Sequence, residues 1–121
     1  PHLLVDQDRP TTFKIRYMGG NQKNLHVRRM QEHSLPYSLE SKVIEKLESL
    51  IPEINGVIIF DYVYGVVTSR VLDAIIQIAK KHEVSLFGDL QCSSQVGNVS
   101  KFKQFDLIYP TEDEARFALS Y

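Results

Sequence analysis

Apolar residues along the chain fall into two regimes, one alternating and one helical, and the order of the two predicts the architecture. Thr11 to Tyr17 alternates, placing Phe13, Ile15 and Tyr17 on one face and Lys14 and Arg16 on the other. Leu25-His26-Val27-Arg28 alternates again, and Gly19-Gly20-Asn21 lies between the two stretches. Glycine and asparagine tolerate positive φ, so the pair reads as a β-hairpin with a loop longer than two residues. Its cationic and apolar faces suit a flap over a polar site. Beyond a loop containing Pro36, Ser38 is placed to cap a helix whose apolar positions are Leu39, Val43, Ile44, Leu47, Leu50 and Ile51, and Pro52 stops it.

From there strands and helices alternate. Val57-Ile58-Ile59-Phe60 has the composition of a strand buried on both faces. Thr68 can cap a helix with an inner stripe of Leu72, Ile75, Ile76 and Ala79. Val84 to Phe87 and Asp106 to Tyr109 read as two further strands, and Glu112 to Tyr121 as a helix. Strands separated by crossovers imply a parallel sheet in an α/β domain. The chain opens on Pro1, with Leu3-Leu4-Val5 already strand-like, and the last helix has no Gly or Asn after it. Both ends are expected to be internal, making the chain part of a larger domain.

Composition narrows the chemistry only a little. The 121 residues are 43% hydrophobic and 24% charged, ordinary for a globular protein. No apolar run approaches the ~20 residues that span a bilayer, so no membrane partner is expected. A lone cysteine, Cys92, rules out an internal disulfide framework and a multi-cysteine zinc site. It fits a reducing, cytoplasmic setting, and with no base beside it in sequence it reads as a small packed side chain. The net charge of −1 conceals an asymmetry: Arg9, Lys14, Arg16, Lys23, Arg28 and Arg29 lie in a stretch to Gln31 that contains no acid. Such a stretch can attract phosphate, or can simply guard an exposed strand edge. No base-reading or RNA-binding signature accompanies it, so nucleic acid is not the expected partner.

Ligands of open parallel sheets bind beyond the carboxyl ends of the strands. Those exits carry Asp61-Tyr62, Asp89, and Thr111 through Glu114. Converging there, they could hold Mg²⁺ or anchor sugar hydroxyls. Each has a structural reading too. Asp61 and Asp89 are good turn formers, and Thr111-Glu112-Asp113-Glu114 spells a capping box. Gly65 can close a tight loop, and His82 suits the C-terminal end of a helix.

Four segments in register resemble a known family. Arg9-Pro10-Thr11-Thr12-Phe13-Lys14-Ile15-Arg16 followed by Asn21-Gln22 resembles the lid hairpin of the ribokinase-like (PfkB) sugar kinases, in their bacterial heptose-7-phosphate kinase branch. Phe60-Asp61-Tyr62-Val63-Tyr64-Gly65-Val66-Val67-Thr68 is similar to their S-D-Y-x-K-G segment. Gly88-Asp89-Leu90-Gln91 stands at their D-P-K, and Thr111-Glu112-Asp113-Glu114 at their N-x-x-E. The resemblance implies a central part of a ribokinase-like domain, with a lid at 9–30 and an α/β core segment at 38–121. It implies transfer of the ATP γ-phosphate to a hydroxyl of a sugar or sugar phosphate, with Mg²⁺. Glu114, with Thr111, would serve nucleotide and metal (the metal through water), Asp61 and Asp89 would line the sugar pocket, and Arg9, Lys14 and Arg16 would belong to the lid side of it. The family's catalytic aspartate would lie beyond Tyr121, so the chain by itself is expected to be inactive. The sequence departs from the family at Thr111, Tyr64, Gln91 and Arg28. The first three favour the alternative, a catalytically degenerate binding or regulatory module. A homodimer through the lid is left open.

Overall fold

The two regimes fold as two sheets. A computed structural model describes residues 2–20, 22–29, 33–91 and 99–119. The alternating stretch forms strands β1 (Phe13–Gly19) and β2 (Gln22–Arg29), paired antiparallel with Ile15 opposite Val27 and Tyr17 opposite Leu25. The expected loop of more than two residues is corrected: only positions 20 and 21 separate the strands, Gly20 takes a φ of 61°, and the extra residue lies instead in a bulge of β2 opposite Tyr17/Met18. The apolar residues share one face as the alternation requires, but that face is not buried: Phe13, Tyr17 and Leu25 are each more than half exposed.

Helix α1 (Tyr37–Leu50) begins two residues before the expected start. Ser38 is not its cap. Pro36 occupies that position in an extended conformation with no side-chain cap, and its carbonyl accepts the amides of Leu39 and Glu40. Proline's fixed φ suits the chain entry, and Ser38 is carried into the first turn. Helix α2 (Ser69–Lys81) is capped as expected, the Thr68 hydroxyl accepting the Val71 amide at 3.2 Å. His82 closes it as the C-terminal cap, exposed.

Strands β3 (Gly56–Asp61), β4 (Ser85–Leu90) and β5 (Leu107–Ile108) form a parallel sheet in that order. Helix α3 (Glu112–Ala118) follows β5. The result is an α/β partial domain, consistent with a ribokinase-like fold. Its core lies on one side of the sheet. Val71, Leu72, Ile75, Ile76 and Ala79 of α2 pack with Ile59, Leu86 and Leu90, and Ile51, Val99 and Phe102 complete the cluster. Gly88 is buried where a Cβ would meet Phe102 at 2.7 Å. The opposite side of the sheet is bare: Ile58 and Phe60 are 62% and 59% exposed, and Leu107 and Tyr109 are exposed beside them. The expectation that β3 is buried on both faces is therefore corrected, because among the described residues all the packing falls on the α2 side. The expected strand 106–109 narrows to two residues, although the Asp106 and Tyr109 amides still donate to the Leu86 and Gly88 carbonyls at 2.9 and 3.0 Å and the Asp106 carboxylate accepts the Leu86 amide at 2.7 Å.

Candidate functional site

The exit of β3 is held by several contacts at once. Asp61 is the last residue of the strand and is 2% exposed. Its Oδ1 accepts the Val63 amide at 2.8 Å, closing an Asx-type turn, and its Oδ2 is paired with the ammonium of Lys101. Val63 is driven to a φ of 61°, unusual for a β-branched residue. Gly65 follows at a φ of 87°, against the 33–35 segment, where a Cβ would lie 2.2 Å from the His33 carbonyl oxygen. The Leu35 amide donates to the Gly65 carbonyl at 2.9 Å. Turn former is thus what Asp61 visibly is, with both carboxylate oxygens engaged.

The hairpin side reaches the same loop. Arg9 donates through Nη1 to the Tyr64 carbonyl at 2.7 Å and through Nη2 to the His33 carbonyl, and its Nε lies 3.5 Å from the Asp6 carboxylate. Lys14 hangs over the rings of Tyr62 and Tyr64, 5.5 and 5.1 Å from their centroids. The two rings stack 6.3 Å apart at 21°. Arg16 is exposed on β1. A cleft of about 290 Å³ opens between the N-terminal segment, α1 and Tyr64, with Thr11 and Thr12 on its wall.

Asp89 belongs to β4 itself, not to the turn after it, and stands opposite Phe60 in the register. Its Oδ2 accepts from Gln91 Nε2 at 2.7 Å, while the Gln91 amide donates to the Asp61 carbonyl at 2.7 Å. The exits of β3 and β4 are therefore stitched together. At β5 the capping box is complete: Glu114 donates its amide to the Thr111 hydroxyl at 3.3 Å, and Thr111 donates its own to Glu114 Oε2 at 2.7 Å. Glu114 stands beyond β5, two strands from Asp61 in a sheet whose strands lie ~4.8 Å apart. Among the described residues no three His, Cys, Asp or Glu side chains come together to hold a metal. The three exits share an edge of the sheet without forming a carboxylate cage. Mg²⁺ does not need one, since it keeps much of its water and takes one or two carboxylates alongside substrate phosphates. A single water-mediated contact from Glu114 fits that donor chemistry. Cys92 lies outside the described residues, as do the side chains of Lys23, Arg28 and Arg29.

Two functional-looking residues were not anticipated. Lys101, forty residues from Asp61, carries no local sign of its partner. Glu40 is buried between α1 and α2, accepting from the Thr68 hydroxyl at 2.5 Å and from Arg70 at 3.3 Å, while Arg70 stacks on Tyr37 at 3.9 Å. Glu40 did leave a trace in the sequence, an acid lying on the same helical stripe as Val43 and Leu47.

Comparison with known proteins meets this geometry along nearly its whole length. The chain is 31% identical to the bifunctional protein HldE of Helicobacter pylori over 117 residues, 97% of the chain. The chain is a homologue of the bifunctional HldE proteins. The HldE of Helicobacter acinonychis is 29% identical and that of Helicobacter hepaticus 27% identical, over the same length. The chain spans about a quarter of the length of these HldE relatives, 24% of the H. pylori protein and 23% of the H. hepaticus one. The name HldE declares two activities and does not assign the matched quarter to either. No family model and no solved structure matches the chain.

Proposed function

We propose that the polypeptide to which this segment belongs is an ATP-dependent kinase of a sugar or sugar phosphate, and that the segment supplies the sheet edge over which acceptor and nucleotide meet. The supporting observation is the HldE match running through all four family-like segments, on a parallel sheet whose exits carry Asp61, Asp89 and Glu114 in the expected order. In this reading Glu114 orients Mg²⁺ through water at the start of α3, and bound Mg²⁺ neutralises charge on the transferring phosphoryl group. Thr111 holds the Glu114 carboxylate through its amide. Asp61 acts by fixing the loop that presents Tyr62 and Tyr64. Asp89, Lys14 and Arg16 face the acceptor, and Arg9 ties the hairpin to that loop. The exposed apolar face of the hairpin suits a homodimer contact. The protein would work in the cytoplasm, where its nucleotide is available; among the described residues no helix is long and apolar enough to cross a membrane.

A second reading, a degenerate binding module, is favoured by one observation: both oxygens of Asp61 are consumed inside the protein. A Mg²⁺ titration of sugar-dependent ATP turnover by the full-length protein decides between the two. The kinase reading expects turnover, and a Glu114→Gln variant that needs at least about tenfold more Mg²⁺, because a neutral amide is a poor partner for a hydrated dication. No turnover with any sugar supports the module. Turnover with an unchanged titration removes Glu114 from the metal's surroundings.

A further inference from the structure

The hairpin is placed on the α/β unit without a hydrophobic seat of its own. Phe13 and Leu25 on its apolar face are exposed, and no described residue of β1 or β2 belongs to the core cluster. Cations hold it instead. Ahead of β1, Arg9 donates to the Tyr64 and His33 carbonyls. A single point of attachment fixes where the hairpin starts and leaves its angle open. The second point is Lys14, one residue into β1, whose ammonium lies 5.5 Å from the centroid of the Tyr62 ring and 5.1 Å from that of Tyr64. Both points fall on the same loop after β3.

Lys14 has the rings and no acid. From Arg9 to Gln31 the sequence carries no carboxylate, and among the described residues none lies within ion-pairing distance of Lys14. Its neighbours on the polar face are cations: exposed Arg16 two positions on, and Arg28 at the register position opposite. Like charges on one face of a strand pair repel, whereas the negative faces of two rings attract an ammonium. Both effects draw Lys14 off the hairpin and onto the loop. The seat itself is built by the turn after β3. Asp61 accepts the Val63 amide, Val63 takes a φ of 61°, and Tyr62 and Tyr64 stack 6.3 Å apart at 21°. A cation at position 64 would stand against Lys14, so the aromatic there and the lysine on β1 belong together.

We propose that the angle of the hairpin is set by Lys14 seated on the Tyr62–Tyr64 pair, and that unseating Lys14 lets the hairpin swing about Arg9. The inference is independent of any reaction the protein performs. From Lys14, β1 runs five residues on to Gly19, about 17 Å at the rise of a strand, so a small rotation becomes a shift of several ångströms at the tip. The test is double electron–electron resonance on the full-length protein. Spin labels go on Met18→Cys of β1 and Gln77→Cys of α2, both exposed, in a background whose other reactive cysteines are replaced. The seated hairpin should give one narrow distance distribution. Lys14→Met keeps most of the stem and removes the charge. It should raise the population outside the main peak about tenfold, the combined weight of two ring contacts each worth a factor of about two to five. Lys14→Arg and Tyr64→Phe, which keep cation and ring, should hold the peak, and Tyr64→Lys should scatter it. In a Tyr62→Leu/Tyr64→Leu background the peak should already be broad, and Lys14→Met should add nothing to it. A Lys14→Met distribution as narrow as the parent's would overturn the proposal. So would a parent distribution as broad as that of Lys14→Met, or a Lys14→Met effect of equal size with both rings gone. Lys14 is exposed, so Lys14→Met decides the matter even where the double leucine variant fails to fold.

Discussion

Breaking the Asp61–Lys101 pair should destabilise the fold more than its surface-like sequence position suggests. The side chain of Asp61 is 3% exposed and that of Lys101 is 29% exposed. The two ends of the pair therefore fail differently. If Lys101 becomes Met, the carboxylate is left in a water-poor site with the Val63 amide still donating to it. Orphaning one member of a buried pair costs ~3–5 kcal/mol, and the surviving Val63 bond offsets about 1 kcal/mol of that, so Lys101→Met should cost about 2–4 kcal/mol. If Asp61 becomes Asn, the amide oxygen can still accept from Val63. Its NH₂ then faces an ammonium that cannot accept. That replaces a charged hydrogen bond worth ~1.5–3 kcal/mol by a donor–donor clash, partly relieved because Lys101 can turn toward water. The expected cost is about 1.5–3 kcal/mol.

Urea unfolding followed by far-UV circular dichroism reads these numbers directly. With m near 1–3 kcal/mol/M for a domain this small, a loss of 2 kcal/mol moves the midpoint by about 1 M. The double variant Asp61→Asn/Lys101→Met puts an amide beside a thioether and removes both the orphaned charge and the clash. It should cost less than the sum of the single changes by at least ~1 kcal/mol. Additive costs, or a Lys101→Met variant within ~0.5 kcal/mol of the parent, would refute the claim that this pair holds the β3 exit.

Other expectations follow from single contacts. Gly65→Ala places a methyl into the His33 carbonyl at a φ of 87° and should cost at least about 1–3 kcal/mol, with faster hydrogen exchange of the Leu35 amide that bonds to Gly65. Thr68→Ala removes both the cap of α2 and a donor to buried Glu40, so it should fall near the upper end of the ~0.5–2 kcal/mol range, while Thr68→Ser recovers most of it in the same melt. Thr111→Ala, whose cap is exposed, should cost nearer the lower end of that range in a thermal melt, and Thr111→Asn should restore it. The 121-residue chain expressed by itself should bind a hydrophobic dye and self-associate through Ile58, Phe60 and Leu107, and sugar-dependent ATP turnover by it should be undetectable.

What could be read in the sequence was whatever depends on neighbours a few positions away. The α2 stripe of Leu72, Ile75, Ile76 and Ala79, the Thr68 cap and the Thr111/Glu114 box are all set within one turn of chain, and all are in place. The hairpin follows from its two alternating stretches, but its register, Ile15 opposite Val27, is set by a two-residue turn and a bulge that alternation does not reveal. Failures came where a distant partner decides. Pro36 outcompetes Ser38 because Glu40, carried one turn into α1, is drawn to Thr68 and Arg70, about thirty residues on. Asp89 reads as a turn residue after a strand, yet pairing with Phe60 extends β4 past it. The four β-branched and aromatic residues of β3 read as doubly buried, but that composition cannot say which face receives the packing.

The same division runs through the site. Asp, Tyr and Gly in the 61–65 stretch announce a turn, and a turn of many shapes would satisfy them. Its actual shape is imposed from outside by Lys101 forty residues later, by Arg9 fifty-five residues before Tyr64, and by the His33–Leu35 backbone against Gly65. Positive φ at Val63 is tolerated because all of these act at once. The loop is thus tied at several points, with Tyr62 half exposed and Tyr64 on the wall of the cleft. Arg9 and Asp61, which look like substrate ligands in the sequence, are both engaged within the protein, where they hold the residues beside them.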